Sequence, residues 1–163
     1  MAQLTERPAD WPLTAPIIVS NTRRIAAPVD AVWARIADHE TWPEWFTDLS
    51  SVTVTFGAEG VGGGRDVKVP GMTVRERFTA WDPPHRFAFT LFEGPRIMTS
   101  MAESVELAPD GDGCTITYTQ GIEPAKGFGW LLTAMAKRLD GQQRAALDRL
   151  AALVESATPT PDT

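Results

Sequence analysis

The sequence has few of the residues on which many protein functions depend. Its single cysteine, Cys114, cannot form an internal disulfide bond, which is typical of a protein in a reducing cytoplasm. Its two histidines, His39 and His85, have no Cys, Asp or His partner at metal-ligand spacing, so we expect neither a metal site nor a cofactor. The formal net charge of -6 and the lack of a polybasic run argue against nucleic acid as a partner.

Long apolar runs are also absent. No stretch has the length and hydropathy of a signal peptide or a membrane-spanning helix, so we predict a cytoplasmic protein without stable membrane insertion. No serine lies in a Gly-x-Ser-x-Gly motif, which removes support for hydrolase chemistry. The glycine-rich residues 60–64 lack the Lys-Ser/Thr pair of a phosphate-binding loop, and we interpret them as a hairpin tip.

The chain divides into a body and two polar ends. Residues 1–16 are broken by prolines and are expected to form a flexible arm, in which Trp11 is the side chain most suited to docking on the body. Residues 157–163 have the composition of a disordered tail. With 43% hydrophobic residues, the remaining 17–156 are expected to form one domain, as a monomer or homodimer.

Within the body, the pattern changes from strand to helix and back to strand. Residues 17–26 are β-rich and end before Pro28, which suits the first turn of a helix. The spacing of Val29, Val32 and Ile36 predicts that short helix, and Thr41 is expected to cap a second one. Apolar residues then alternate, and the turns permit only hairpins. The predicted strands of this meander are residues 50–56, 65–70, 72–82, 85–93, 96–108 and 113–122.

The last long segment has the pattern of an amphipathic helix. From residue 129 to 155 it would extend about 40 Å at 1.5 Å per residue, so it needs a large apolar partner. The antiparallel sheet supplies that partner. The apolar stripe of the helix consists of Phe128, Leu132, Met135, Leu139, Ala146, Leu150 and Leu153.

Three stretches of the chain resemble the START-like, or SRPBCC, superfamily. The first is IAAPVDAVWARIADHETWPEWF at residues 25–46, the second is TAWDPPHRFAF at residues 79–89, and the third is the terminal helix. The second resembles the polyketide cyclase/dehydrase branch. The resemblance implies an α+β helix-grip fold: a curved seven-stranded antiparallel sheet around the C-terminal helix, two short helices between strands 1 and 2, and a cavity between sheet and helix. It implies no shared catalytic set, because lipid carriers, aromatic polyketide cyclases, hormone receptors and co-chaperones use this scaffold.

The side chains that face the predicted cavity follow from strand alternation, since the concave face must be the more apolar one. In residues 96–108 we choose the face of Met101, Glu103 and Val105, which requires a bulge or a three-residue turn at Gly94-Pro95. Glu103 is then expected opposite Tyr118. The predicted ligand-binding residues are Met72, Val74, Glu76, Phe78, Phe87, Phe89, Leu91, Met101, Glu103, Ile116, Tyr118, Phe128, Leu132, Met135 and Leu139.

Three of these residues are candidates for polar anchoring or for acid–base catalysis. Glu76, Glu103 and Tyr118 would place polar groups on an apolar surface, where an unpaired carboxylate has a raised pKa. The alternatives are a surface or structural ion pair for each glutamate and ordinary core packing for Tyr118. The methionines Met72, Met98, Met101 and Met135 could line the cavity or simply fill the core.

Three functions are compatible with this pattern. The first is binding or transport of a small hydrophobic ligand, such as a lipid, an isoprenoid or a polyketide-like aromatic. The second is a polyketide cyclase or dehydratase that uses a cavity carboxylate as acid or base, which would need at least two titratable groups in the cavity. The third is a protein-interaction module on the convex face of the sheet, which a cavity below about 300 Å³ would favour.

Overall fold

The architecture is a sheet of antiparallel strands that grips a long C-terminal helix, seen in a computed structural model that describes residues 1–157. Two α-helices and two 3-10 helices accompany the sheet: α1 (Val29–Ala37), α2 (Gly129–Ala157), Trp11–Thr14 and His39–Glu44. The strands are β1 (Ala2–Gln3), β2 (Ile17–Ile25), β3 (Ser51–Val54), β4 (Gly64–Val69), β5 (Met72–Asp82), β6 (Arg86–Gly94), β7 (Met98–Asp110) and β8 (Gly113–Pro124).

The strand order is β2-β8-β7-β6-β5-β4-β3, with β1 added beside β6 outside that path. Every neighbouring pair is antiparallel. The predicted α+β helix-grip fold, with its seven-stranded sheet and two short helices between β2 and β3, is therefore confirmed. The predicted tail, apart from Ala157, lies outside the described residues.

The second short helix begins earlier than predicted. The 3-10 helix starts at His39, and Thr41 lies inside it, so Thr41 is not its cap. The Thr41 hydroxyl instead donates a hydrogen bond to the carbonyl oxygen of Asp38. The helix carries Pro43 internally, which is compatible with a short 3-10 turn.

The N-terminal arm is packed against the sheet, which corrects the expectation that it is flexible. Ala2 and Gln3 pair with the end of β6, and Leu4 is buried. The backbone N–H of Arg7 donates to Thr90 Oγ1 at 3.0 Å, and its side chain donates to Ser100 Oγ at 2.9 Å and also to Glu123. The arm therefore covers the outer, convex face of the sheet, which carries Thr90 and Ser100.

The inner, concave face follows the predicted alternation except beside two register shifts, one in β5 and one between Met98 and Ser100 in β7, where Met98 joins the cavity lining. A register shift between Phe78 and Ala80 moves Trp81, and not Ala80, to the inner face. The Trp81 ring contacts the rings of Phe78 and Phe87 at centroid distances of 6.2 and 5.4 Å. A bulge of this kind reverses the phase of the residues that follow, and simple alternation cannot anticipate it.

The predicted inner phase of β7 is correct, but its register with β8 differs by two residues. Gly94 and Met98 are separated by three residues, as that phase requires. Asp110 pairs with Gly113, so the turn has only two central residues, and Glu103 lies opposite Gln120. Tyr118 lies opposite Val105, diagonal to Glu103 on the same face. A shift of two residues preserves the face, so both side chains still point inward.

The two halves of α2 make different contacts with the sheet. The buried residues of its C-terminal half are Gln143, Ala146, Leu147, Leu150, Ala151 and Val154. Asn21 on β2 anchors this half, since its side-chain amide donates to Gln143 Oε1 at 2.7 Å and to Asp140 Oδ1 at 2.9 Å. In the N-terminal half only Leu132 is buried. The sheet and the helix therefore separate toward the N-terminus of α2.

Candidate functional site

An apolar cavity of about 260 Å³ lies where the N-terminal half of α2 separates from the sheet. Its only ionisable lining residues are Glu76 and Glu103. The apolar lining consists of Leu49, Val67, Val69, Met72, Val74, Leu91, Pro95, Ile97, Met98, Met101, Ile122, Leu132, Met135 and Leu139. The space thus combines an apolar wall with two carboxyl groups, which is the usual composition of a small-molecule site.

A larger groove of about 510 Å³ lies next to this cavity. The two spaces share Leu49, Val69, Met135 and Leu139, so these four residues form the boundary between them. The polar residues of the groove are Asp48, Arg138 and Gln142. The inner cavity alone is smaller than the 300 Å³ that we set as the lower limit for a ligand site, whereas the adjoining groove is larger.

Most of the predicted ligand-binding residues line the inner cavity. These are Met72, Val74, Glu76, Leu91, Met101, Glu103, Leu132, Met135 and Leu139. Met135 is 39% exposed because it lies at the boundary with the groove. Val67 and Val69 belong to the lining although they were not predicted; their alternation with Asp66 and Lys68 was the available signal.

The other predicted ligand-binding residues lie outside the cavity wall. Phe78, Phe87, Phe89, Ile116 and Tyr118 are buried in the core around the cavity. Phe128 is 38% exposed and does not contribute to the lining, because it precedes the first residue of α2. The prediction that Phe128 forms part of the wall is therefore wrong.

Glu76 forms a buried ion pair with Arg65, a residue that was not among the predicted site residues. Arg65 on β4 is opposite Glu76 on β5, and Arg65 Nε donates to Glu76 Oε2 at 2.6 Å. The side chains are 1% and 6% exposed. This pairing with a residue of the neighbouring strand agrees with the structural alternative for Glu76. No hydrogen bond of the described residues engages the second carboxylate oxygen, Glu76 Oε1.

Aromatic rings surround the Arg65 guanidinium. Its central carbon lies 3.9 Å from the centroid of the Trp42 ring and 4.7 Å from that of Phe89. Cation–π attraction is strongest where water is excluded, as it is here. The rings therefore stabilise the charge of Arg65 together with Glu76.

His39 completes this buried group. Arg65 Nη1 lies 3.2 Å from His39 Nδ1, and His39 Nε2 lies 2.7 Å from the carbonyl oxygen of Ala58. Because a guanidinium only donates, Nδ1 must accept and Nε2 must carry the proton, so His39 is neutral. Burial and the positive charge of Arg65 lower the pKa of His39 to about 4.

The second carboxyl group of the cavity has two polar neighbours. The Tyr118 hydroxyl donates to Glu103 Oε2, and Gln120 Nε2 donates to Glu103 Oε1 at 2.8 Å. Burial and the negative charge of Glu76 raise the pKa of Glu103 to about 7, against the opposing effect of these hydrogen bonds. Burial also raises the pKa of Tyr118 well above its ordinary value, so the phenol stays protonated.

The protonation of Glu103 follows from the balance of charge. Among residues 1–157, Arg65 is the cation that acts on both Glu76 and Glu103, and it donates to Glu76. Burial raises the pKa of Glu76, and the charge of Arg65 opposes that rise. A proton on Glu103 leaves the group electrically neutral, which is the favoured state in a low-dielectric interior. Glu103 can therefore gain or release a proton near neutral pH.

The sequence contains signals for Arg65 and His39, which were not among the predicted site residues. Counting back from a two-residue turn at Pro70-Gly71 places Arg65 opposite Glu76, on the same face as Val67. For His39 the signal was weaker, because its partners Arg65 and Ala58 are distant in sequence. Within residues 1–157, no three His, Cys, Asp or Glu side chains come together as a metal site.

The chain matches a known protein family over most of its length. The profile of the family described as "Polyketide cyclase / dehydrase and lipid transport" matches residues 16–155. The chain belongs to this family. An uncharacterised protein of Mycobacterium tuberculosis is 31% identical over 137 residues, which are 82% of this chain and 73% of that relative.

Two solved structures of similar fold are described as aromatase/cyclases. The Zhui aromatase/cyclase from Streptomyces sp. R1128 has a TM-score of 0.74 at 20% identity, over 88% of this chain and 96% of that one. The di-domain ARO/CYC StfQ from the steffimycin biosynthetic pathway has a TM-score of 0.74 at 13% identity over 86% of this chain. The match spans about half of StfQ, 52% of its length. At these identities the likeness concerns the fold. Of the described helices, none is long and apolar enough to span a bilayer.

Proposed function

We propose that this member of the family binds a small hydrophobic molecule in the cavity between α2 and the sheet. The observation that carries the proposal is the lining itself: fourteen apolar residues and two carboxyl groups that face one cavity. An apolar molecule that binds there would transfer its surface out of water without displacing any core side chain.

Two further features support this proposal. Four of the lining residues, Met72, Met98, Met101 and Met135, are methionines, whose flexible side chains adapt to ligands of different shape. The adjoining groove gives a longer ligand room to extend past Met135 and Leu139. A lipid, an isoprenoid or a polyketide-like aromatic would fit this description.

Native mass spectrometry of the purified protein, followed by solvent extraction, tests this function. We expect a co-purified small molecule, or saturable binding of at least one compound from a panel of lipids and aromatics. A matched variant, Leu132→Trp, fills the cavity at a buried wall position and should abolish that binding. The absence of both a co-purified molecule and binding of any compound from the panel would contradict the proposal.

A second candidate function is a cyclase or dehydratase acting on a polyketide-like substrate. The observation that favours it is the pair of carboxyl groups in the cavity, because Glu103 has a pKa of about 7 and can exchange a proton at neutral pH. The two aromatase/cyclases of similar fold supply the reaction class. In this scheme Glu103 would remove a proton from the carbon beside a substrate carbonyl, and the cavity would hold the substrate in a folded conformation.

The enzymatic candidate is tested by comparing turnover with binding. Glu103→Gln keeps the size of the side chain, replaces one acceptor oxygen by an NH2 donor and cannot take up a proton. If the protein is a cyclase, this variant should lose product formation from a poly-β-ketone thioester and retain its binding. Equal turnover in both proteins would rule out Glu103 as the base.

The protein-interaction alternative has less support. The volume of the inner cavity alone favours it by the limit of about 300 Å³, but the N-terminal arm covers part of the convex face that such a module would use. Thr90, Ser100 and Thr119 are buried in this covered part.

A further inference from the structure

We infer that the ligand carries a neutral hydroxyl group, alcoholic or phenolic, which donates a hydrogen bond to the carboxyl groups at the inner end of the cavity. This inference rests on the proposed function, because it specifies which hydrophobic molecules the cavity selects. It excludes ligands that place a carboxylate at this inner end, and it disfavours molecules whose only polar atoms are acceptors.

The free acceptor is Glu76 Oε1. Arg65 engages only the other oxygen, Oε2, and Glu76 itself lines the cavity. The described residues offer no donor to Oε1. A ligand donor placed there would supply the hydrogen bond that Oε1 does not receive from the protein.

Glu103 contributes acceptor capacity beside Glu76. Its two oxygens each accept one hydrogen bond, from Tyr118 and from Gln120, while a carboxylate offers about four acceptor positions in total. Both side chains that would present donors to a ligand acceptor, Tyr118 and Arg65, already donate to these glutamates. Above the Glu103 pKa of about 7, where this side chain is ionised, the cavity therefore offers acceptors to its occupant and few donors.

The charge of the group excludes an anionic ligand. Arg65 already has a carboxylate partner, and the two glutamates bring at least as much negative charge as Arg65 brings positive charge. A ligand carboxylate at this inner end would meet the like charges of the glutamates, which opposes its binding. A neutral hydroxyl adds no charge, so the apolar wall accommodates it.

A matched series of three naphthalenes tests this inference on the wild-type protein at pH 8. The donor is 2-naphthol, 2-methoxynaphthalene is its acceptor-only analogue, and 2-naphthoate is the anion. Isothermal titration calorimetry measures each affinity. We expect 2-naphthol to bind at least about tenfold more tightly than 2-methoxynaphthalene, as a hydrogen bond to a charged acceptor provides, and 2-naphthoate to bind more weakly than either.

The possible results separate this inference from the function on which it rests. Equal affinities for 2-naphthol and 2-methoxynaphthalene, or stronger binding of 2-naphthoate, would overturn the inference and leave hydrophobic binding intact. No binding of any of the three would count against both. The wild-type series decides the matter even if substitutions at Glu76 prevent folding.

A pair of carboxyl-to-amide variants assigns the effect to Glu76. Glu76→Gln should reduce the preference for 2-naphthol to less than about threefold while the affinity for 2-methoxynaphthalene stays the same. Asp66→Asn is the matched control, because Asp66 lies on β4 next to Arg65 but on the opposite face, where Arg75 is its partner at 3.7 Å. A preference that survives in Glu76→Gln would overturn the assignment to Glu76.

Discussion

Arg65 and Glu76 form an ion pair inside the protein, with 2.6 Å between Arg65 Nε and Glu76 Oε2. The two residues lie opposite each other on neighbouring strands. Neither charge has access to bulk water, so each depends on the other. The pair also fixes one carboxyl group of the cavity, because Glu76 belongs to the lining while Arg65 lies behind it. The same ion pair therefore bears on the stability of the fold and on the position of a carboxyl group in the cavity lining.

Removing either member of this pair should destabilise the fold strongly. We expect Arg65→Met and Glu76→Met each to lower the free energy of unfolding by about 3–5 kcal/mol, because each leaves a buried charge without its partner. The double variant should lose much less than the sum. Urea denaturation of all four proteins measures the coupling.

The exposed pair Arg75–Glu93, with N–O distance 2.9 Å, is the control for that cycle. Its coupling should stay below about 1 kcal/mol, since water screens both charges. Additive effects at Arg65 and Glu76, no larger than those at Arg75 and Glu93, would show that the buried pair is not coupled as described.

Glu103 should make stability decrease as the pH rises. Its pKa is about 7 in the folded protein, against the ordinary value of 4.5 that applies to the unfolded state. Between these two pH values the folded state therefore holds more protons than the unfolded state. The stability linked to Glu103 is therefore full below pH 4.5 and is lost as the pH rises to 7, by about 3 kcal/mol at ~1.4 kcal/mol per pKa unit.

Comparison with Glu103→Gln isolates this effect. The difference in unfolding free energy, wild type minus variant, should fall between pH 4.5 and 7 and remain constant above about pH 8. Chemical denaturation at a series of pH values measures it. A difference that does not vary with pH would mean that Glu103 is ionised throughout, with an ordinary pKa.

His39 should have the opposite dependence. Its pKa is lowered from 6.5 to about 4, so the unfolded state binds the additional proton first and the folded state loses stability as the pH falls through that range. NMR of the imidazole should give a midpoint near 4 and the tautomer with the proton on Nε2. A midpoint near 6.5 would contradict the contact with Arg65.

Two glycines should respond to alanine in opposite ways. Gly141 lies inside α2 with no atom within 4 Å of the position of a new Cβ, so Gly141→Ala should stabilise the protein by about 0.5–1 kcal/mol. At Gly121 the Cβ would lie 2.6 Å from Pro12 Cα, so Gly121→Ala should displace the N-terminal arm. Thermal denaturation compares the two variants, and stabilisation by Gly121→Ala would contradict the packing of the arm.

Regular patterns in the sequence were enough to predict the sheet and the helices. Val74, Glu76 and Phe78 alternate without interruption, and the inward face of β5 followed directly. The pattern failed where the backbone departs from regularity, at the bulge that turns Trp81 inward. It also failed at the register of Tyr118, which depends on whether the turn after β7 has two or more residues.

The chemistry of the candidate site was less accessible from the sequence. Glu76 and Glu103 were identified because charged residues stand out on an apolar face. Arg65 stands at the start of a short strand beside a glycine-rich turn, where an exposed charge is the usual expectation. His39 depends on contacts with β4 and the hairpin tip that only the folded chain brings together.

The methionine methyl groups report most directly on whether the cavity holds a ligand. Of the five methionines, Met72, Met98, Met101 and Met135 line the cavity, whereas Met1 is outside it and is the internal control. With methyl-¹³C-labelled protein titrated with an uncharged naphthalene, we predict the largest shifts for Met98 and Met101 and none for Met1. Shifts confined to the exposed Met72 and Met135, or no shifts at all, would contradict binding in the cavity.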